Sequence, residues 1–395
     1  MTQNAKPILI AGGGMAGLLF ALLLRQQGHP KVVLVEPMAM TLAEGPLSPS
    51  FDARSTALSA GTLAIFSRLG LYDSLLEDAA TINTVEVSRK GRLGVTRMHA
   101  AEEGVPALGA VVENRWLGQV LLKAVRQDDS IQVLAPNKVV AAKRLVAGYQ
   151  VELDSGETMV VSLLVAADGA QSKLRESMGI SAQYEDTGTF ALVANVEILE
   201  SHQNMAWERF LPTGPLALLP LSQQRLALIW MGPKAYIDEL KALPDEDLVE
   251  RITALAGEDR IPPLGRVGGR ITHPLIATKA VAQVVPYGVV VGNAAHTVHP
   301  VGGQGFNLTA RDLSLLAEKI GGAQEPGELK ILQSYIQARE ADQAMIRHAT
   351  KWLPDLFRVE FGPFAHTRQL GLVALDVWPS LRAAFARRAM GVRHV

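Results

Sequence analysis

The chain opens on an apolar run, Ile8–Ala11, passes through a glycine-rich turn, and continues as Met15–Gln27, where apolar residues are too dense for a helix with one face in water. Gly28 stands where a glycine closes a helix, and Lys31–Glu36, rich in valine, reads as a second buried strand ending in an acid. The pattern predicts a strand–helix–strand unit of about thirty residues, the span that a parallel crossover needs. A polar stretch, Thr41 to Ser50, precedes Asp52-Ala53-Arg54, and Thr62–Leu69 and Glu113–Val125 predict helices. Ile131–Val133 and Tyr149–Leu153 predict strands, with Asp154-Ser155-Gly156-Glu157 as a turn, and Val160–Ala167 predicts a buried strand running directly into Asp168-Gly169.

From about Tyr184 to Arg270 the pattern changes. Phe190–Val196, Trp207–Phe210, Leu216–Pro220 and Arg225–Trp230 predict antiparallel strands separated by Pro and Gly. Val289–Val291 then resumes as a parallel-type strand, a long glycine-rich loop follows, and Leu308–Ile320 and Leu329–His348 predict helices. The expected fold is therefore α/β. A Rossmann-like nucleotide-binding domain is assembled from residues 1–183 and 281–350, a mainly antiparallel β-sheet substrate domain is inserted at 184–280, and a helical segment occupies 351–395.

Composition narrows the chemistry. With 395 residues and 48% hydrophobic side chains the chain can build two domains around a large core. A net charge of −1 points to no nucleic-acid partner. The lack of cysteine excludes disulfides, thiolate-bound zinc, iron–sulfur clusters and a cysteine nucleophile, so redox chemistry must reside in a bound organic cofactor. The uncharged run Pro7 to Leu24 has the look of a membrane anchor, but four glycines at the spacing of a dinucleotide loop argue for a βα unit and a cytoplasmic protein.

In Gly12-x-Gly14-x-x-Gly17 the first glycine permits the tight turn, the second lets backbone approach a diphosphate, and the third lets the helix pack close to the sheet. Glu36 lies nineteen residues after Gly17 and is placed to accept ribose hydroxyls, which favours an unphosphorylated adenosine ribose over NADP. At this point FAD and NAD remain open. His296 and His299 stand three residues apart, but no third ligand is near in sequence, so no metal is expected.

Three separated segments carry a family resemblance: the glycine loop, Asp168-Gly169-Ala170-Gln171-Ser172-Lys173-Leu174-Arg175, and Gly292-Asn293-Ala294-Ala295-His296 running into Pro300-Val301-Gly302-Gly303-Gln304-Gly305-Phe306-Asn307. Together they resemble the single-component flavoprotein aromatic hydroxylases, and with Asp52-Ala53-Arg54 and Gly214-Pro215-Leu216-Ala217-Leu218-Leu219-Pro220 they are most similar to the ubiquinone-biosynthesis branch. The resemblance implies FAD rather than NAD, and so a Rossmann-like FAD-binding domain. It places Asp168 near the diphosphate and Asn293, where the family commonly has Asp, at the ribitol chain. Backbone N–H groups of Gly305, Phe306 and Asn307 face the flavin's N1–C2=O edge, Arg54 lies near the phosphates and Asn114 against the FAD. It implies further that NAD(P)H visits as a transient reductant, that reduced flavin adds O2 to form a C4a-hydroperoxide, and that one oxygen passes to a polyprenylated phenol of the 2-polyprenyl-6-methoxyphenol type. Competing readings are a hydroxylase of a small soluble phenol, a reductase that passes electrons on, and a non-catalytic FAD-binding scaffold. No residue presents itself as the catalytic base. From Leu370 to Val395, Arg382, Arg387, Arg388 and Arg393 face a single Asp376, the pattern either of a helix packed on the protein or of one resting on an anionic inner-membrane surface or a biosynthetic partner.

Overall fold

In the computed structural model, residues 6–41, 54–89, 95–298 and 301–358 are described. The expectations for Asp52, Ala53, His299, Pro300, the loop Thr41 to Ser50 beyond its first residue, and residues 359–395 fall outside them.

The first layer is a six-stranded sheet in the order Val284–Val285, Gly288–Val290, Leu163–Ala166, Ile8–Ala11, Val32–Val35, Ile131–Leu134, parallel throughout except for its first pair. Ile8–Ala11, Val32–Val35 and Leu163–Ala166 are buried at every position, as strands covered on both faces must be. Alternate residues serve alternate faces. Ile8, Ile10, Val32, Leu34, Leu163 and Val165 pack with the helices Met15–Gln26, Asn114–Arg126 and Gln304–Ile320, whereas Leu9, Ala11, Val33 and Val35 pack with Tyr149, Val151 and Leu153 of a small antiparallel sheet, 139–161. The predicted strand Val160–Ala167 is thus two strands, Thr158–Val161 and Leu163–Ala166, in different sheets. They are divided at Ser162, whose backbone N–H and hydroxyl both donate to Pro7 O.

The second layer is a nine-stranded sheet in the order His296–Thr297, Ile271–Ala280, Ala182–Ile198, Arg225–Pro233, Gly214–Leu221, Met205–Leu211, Thr84–Arg89, Val95–His99, with Leu264–Val267 beside Ala182–Ile198. It draws on more chain than the 184–280 block. Thr84–Arg89 enters from upstream and pairs parallel with Met205–Leu211, the one parallel pairing in this sheet among the described residues. The helices Lys234–Ala242 and Asp245–Ala256 cover one face, burying Leu192, Trp230, Ile237, Leu240, Leu248 and Ile252. Between the layers stands a three-stranded sheet, Ser55–Ser59, Gly109–Glu113 and Ala79–Ile82. Its Glu113 Oε1 accepts from Arg225 Nη1 at 2.8 Å and from Asn195 Nδ2 at 3.3 Å, tying the layers together.

The helix predicted at Leu308 begins at Gln304. Its first turn is polar and carries no apolar periodicity; the start is set by Gly302 and Gly303 at φ 67° and 61°, a left-handed backbone that glycine adopts without steric cost. The following helix, Leu329–Arg358, runs past the predicted end at His348.

Candidate cofactor site

Four of the sequence-predicted residues stand in a row because their strands are neighbours. In the sheet order, Glu36 follows Val32–Val35, Gly12 follows Ile8–Ala11, Asp168 follows Leu163–Ala166, and Asn293 follows Gly288–Val290, each just past a strand's C-terminal end. The crevice outside the carboxyl ends of a parallel sheet is where such folds bind nucleotides. Residues separated by more than 250 positions in sequence are brought to one edge.

The glycine loop is held by contacts that only glycine allows. A Cβ on Gly17 would lie 1.9 Å from Gly12 O, and one on Gly12, at φ 114°, would lie 2.4 Å from Ala167 O. Gly14 caps the helix Met15–Gln26 with no side-chain bond and no acid in the first turn, so the positive end of the helix and its N–H groups are not neutralised by the protein. Gly13, which the spacing argument passed over, is equally constrained: a Cβ there would meet Met40 Sδ at 2.7 Å and Glu36 Cβ at 2.9 Å. Glu36 is buried and accepts from Gly13 N at 2.7 Å and Met38 N at 3.1 Å. One oxygen fixes the loop, and carboxylate lone pairs remain for hydroxyl donors.

Gly303 caps the helix Gln304–Ile320, again without a side-chain bond or an early acid. With Gln304 as the first helical residue, the N–H groups left without intrahelical partners include those of Gly305 and Phe306. Asn307 lies one position further into the helix, beyond that set, and its contribution is made by its side chain. Oδ1 accepts from Ser59 N at 2.8 Å and Thr62 Oγ1 at 2.7 Å, while Nδ2 donates to Ala57 O and Gly303 O, both at 2.8 Å. The Asn307 side chain thereby anchors the loop to the strand Ser55–Ser59. Arg54 and Asn114 meet at the far end of that strand, where Asn114 N donates to Arg54 O at 2.7 Å and Thr56 Oγ1 donates to Asn114 Oδ1 at 2.6 Å.

Asp168 is exposed, and its carboxylate accepts from Ser172 Oγ and, at 3.2 Å, from Leu174 N, organising the helix start at Lys173. Asn293 is exposed at the crevice in a short 3-10 turn, Gly292–Ala294. Two residues given no role in the sequence reading turn out to be structural centres. Arg175 is fully buried and donates to Ala294 O at 2.8 Å, Ala170 O at 3.1 Å and Tyr184 Oη at 2.7 Å, so it staples the Asp168 helix to the Asn293 turn. His296 Nε2 lies 2.9 Å from Asp312 Oδ2, and Asp312 also accepts from Arg339 Nε and, at 2.8 Å, from Gln343 Nε2. That cluster, with Asp342 bridging Arg339 and Arg311, locks the cofactor loop to both C-terminal helices. The motif histidine was visible in the sequence, but its partners lie sixteen and more residues away with no spacing to announce them.

Two helix starts without side-chain caps, a buried acid at one strand end and an amide past another suit a dinucleotide with a negative diphosphate. The fold and site thus define a protein built to bind a dinucleotide, and its relatives place it among the FAD-dependent monooxygenases. The model of the FAD binding domain family matches residues 5–349, and the chain belongs to that family and, within it, to the FAD-dependent hydroxylases of ubiquinone biosynthesis. It is 33% identical to ubiquinone hydroxylase UbiL of Rhodospirillum rubrum over 98% of this chain and 90% of that protein. It is 29% identical to 3-demethoxyubiquinol 3-hydroxylase of Escherichia coli over 99% of this chain and 100% of that protein. Among solved structures, p-nitrophenol 4-monooxygenase PnpA of Pseudomonas putida shares the fold with a TM-score of 0.77 at 19% identity, covering 99% of both chains. An HpxO of Klebsiella pneumoniae complexed with FAD superposes with a TM-score of 0.74 at 16% identity over 98% of both.

Proposed function

We propose that this enzyme hydroxylates a polyprenylated phenol of the 2-polyprenyl-6-methoxyphenol type in ubiquinone biosynthesis, with O2 as oxidant and NAD(P)H as a transient reductant. The observation that carries the reading is similarity along the whole chain to proteins named ubiquinone hydroxylase and 3-demethoxyubiquinol 3-hydroxylase, supported by Gly12, Glu36, Asp168 and Asn293 following neighbouring strands of one sheet.

In this reading the residues divide the work along the crevice. Gly12, Gly14 and Gly17 admit the diphosphate to the N–H groups of the first helix, and Glu36 accepts the adenosine ribose hydroxyls. Asp168 and Arg54 lie toward the phosphates, Asn293 accepts a ribitol hydroxyl, and Asn114 packs against the cofactor. The start of the helix Gln304–Ile320, with Gly305 and Phe306, stabilises negative charge at the pyrimidine edge, and the Asn307 side chain holds that start in place. Bound FAD supplies the activation of O2 and the transfer of one oxygen atom. The chain's part is to hold the ring carbon in line, exclude water and favour the phenolate.

The units 1–183 with 281–350, and 184–280 joined by the strands Thr84–Arg89 and Val95–His99, act as cofactor and substrate domains in this proposal, and the basic stretch Leu370 to Val395 supplies contact with an anionic inner-membrane surface or a partner. Among the described residues no helix is long and apolar enough to cross a membrane. The test is turnover of a short-chain prenylated phenol under labelled O2. Incorporation of one labelled oxygen into the ring, with faster flavin reduction when the phenol is present, is expected. Oxidation of NAD(P)H that the phenol neither stimulates nor converts into labelled product refutes the proposal.

A further inference from the structure

Glu208 lies in the strand Met205–Leu211, and the alternation of that strand decides which way it faces. Trp207 and Leu211 enter the core under the helices 234–256, whereas Ala206 and Phe210 pack on the opposite face, and Glu208 shares theirs. Ala206 clusters with Ile82, Val111 and Ala57, the last of these being the residue over which Gly303 is seated. The Glu208 face therefore looks toward the cofactor loop. In register its neighbours are Val87 on one side and Ala217 on the other, with Ile229 beyond, so a carboxyl stands on an otherwise apolar patch. Burial pushes its pKa up to about 7, and the nearby backbone of Gly302 opposes part of that rise.

Of the charged groups on the adjoining strands, Arg89 shares this face, in register with Phe210 and two positions along from Val87. Glu86, with Arg97 and Arg260 on it, and Arg209, bonded to Ser88, alternate to the far side of the sheet. Arg339, Asp342 and Arg311 of the packed helices are committed to the cluster around Asp312.

We propose that Glu208 is the catalytic base that takes the phenol's proton, from a position between the apolar sheet face and the Gly302–Gly303 turn of the cofactor loop. The inference rests on the phenol-hydroxylase reading above. In the step, the phenolic O–H bond breaks, its electron pair stays on oxygen, and the proton passes to a Glu208 carboxylate oxygen. The phenolate is the better nucleophile at the ring carbon that accepts oxygen. When that carbon releases its own hydrogen as a proton to solvent and the aromatic ring reforms, Glu208 returns its proton to the phenolate oxygen. An acid titrating near neutrality is matched to this exchange, since a base works best with its pKa close to the operating pH.

The test uses wild-type and Glu208→Gln holoenzymes with a short-chain prenylated phenol, NAD(P)H and labelled O2. Glu208→Gln is expected to keep FAD and to be reduced by NAD(P)H at the wild-type rate, while hydroxylation kcat/KM at neutral pH falls by roughly 10²- to 10⁴-fold. Wild-type kcat/KM rises with pH through about 7, whereas the variant rises only toward the phenol's own titration near 10. A variant that hydroxylates within about threefold of wild type, with the same pH profile, overturns the assignment. If Glu208→Gln emerges without flavin, Glu208→Asp is read instead: a profile still rising near neutrality supports the base, and one shifted to the phenol's titration refutes it. Failure of the wild type to give labelled product overturns the phenol reading and Glu208's part with it.

Discussion

Asn307→Ala removes an amide that is 2% exposed and makes four hydrogen bonds at 2.7–2.8 Å. It removes the side-chain partner of the Ser59 N–H and of the Ala57 and Gly303 carbonyls, and leaves the Thr62 hydroxyl only its longer 3.3 Å contact with Ser59 Oγ. At about 1 kcal/mol net for each bond, and with a water recovering part of the loss, the destabilisation should be about 3 to 4 kcal/mol. Two of the four partners, Gly303 O and Ala57 O, fix where the helix Gln304–Ile320 begins. If about 1.4 kcal/mol of the loss is expressed in cofactor binding, FAD affinity falls roughly tenfold. Urea unfolding of apo and holo protein gives the first quantity, and fluorescence titration with FAD gives the second. A stability change below about 0.5 kcal/mol, the size of an inconsequential surface substitution, together with unchanged FAD affinity, would refute the reasoning that this side chain organises the loop.

Further variants separate the other parts of the account. Gly17→Ala places a methyl 1.9 Å from a backbone oxygen and should abolish FAD binding, seen as loss of flavin absorbance in the purified protein. Asp312→Asn takes the buried partner from Arg339 and His296 and should cost about 3 kcal/mol in urea unfolding; a cost near zero would mean the cluster does not hold the C-terminal helices. Asn293→Asp, at an exposed position that needs only an acceptor, should retain FAD, and a colourless variant would speak against the placement of this residue. Because burial raises the Glu208 pKa from 4.5 to about 7, the native state keeps a proton that the unfolded chain releases, and stability falls as pH rises across that interval. Glu208→Gln should flatten that fall and exceed wild-type stability at about pH 8 by up to about 3 kcal/mol, whereas parallel pH curves for the two proteins would contradict the burial argument.

The parallel sheet was legible because its strands are buried on both faces and announce themselves as valine-rich runs closed by glycine or an acid. The antiparallel layer was legible where an apolar run ends at Gly and Pro, as Arg225–Trp230 does before Gly232-Pro233, but Thr84–Arg89 was not assigned to it, since membership of a sheet edge is a long-range pairing that no local pattern records. The helices Lys234–Ala242 and Asp245–Ala256 were missed for a different reason: the proline-punctuated stretch that introduces them reads as a run of loops. Within the site, glycines could be read from spacing because backbone geometry demands them. The Asn307 anchor and the His296–Asp312–Arg339 cluster could not, because polar contacts between distant helices leave no period. Glu208 was hidden in the same way, as one polar residue in a strand whose importance depends on which face looks at the cofactor loop.

The central claim is that segments around Gly12, Glu36, Asp168, Asn293 and Gly305 converge on one FAD. Its most direct test is the absorption spectrum and flavin content of the purified full chain, before and after incubation with FAD. A bound flavin spectrum with one FAD per chain is expected, and Gly17→Ala prevents it. A wild-type protein that stays colourless when FAD is offered, or that binds it equally well with Gly17→Ala, would contradict it.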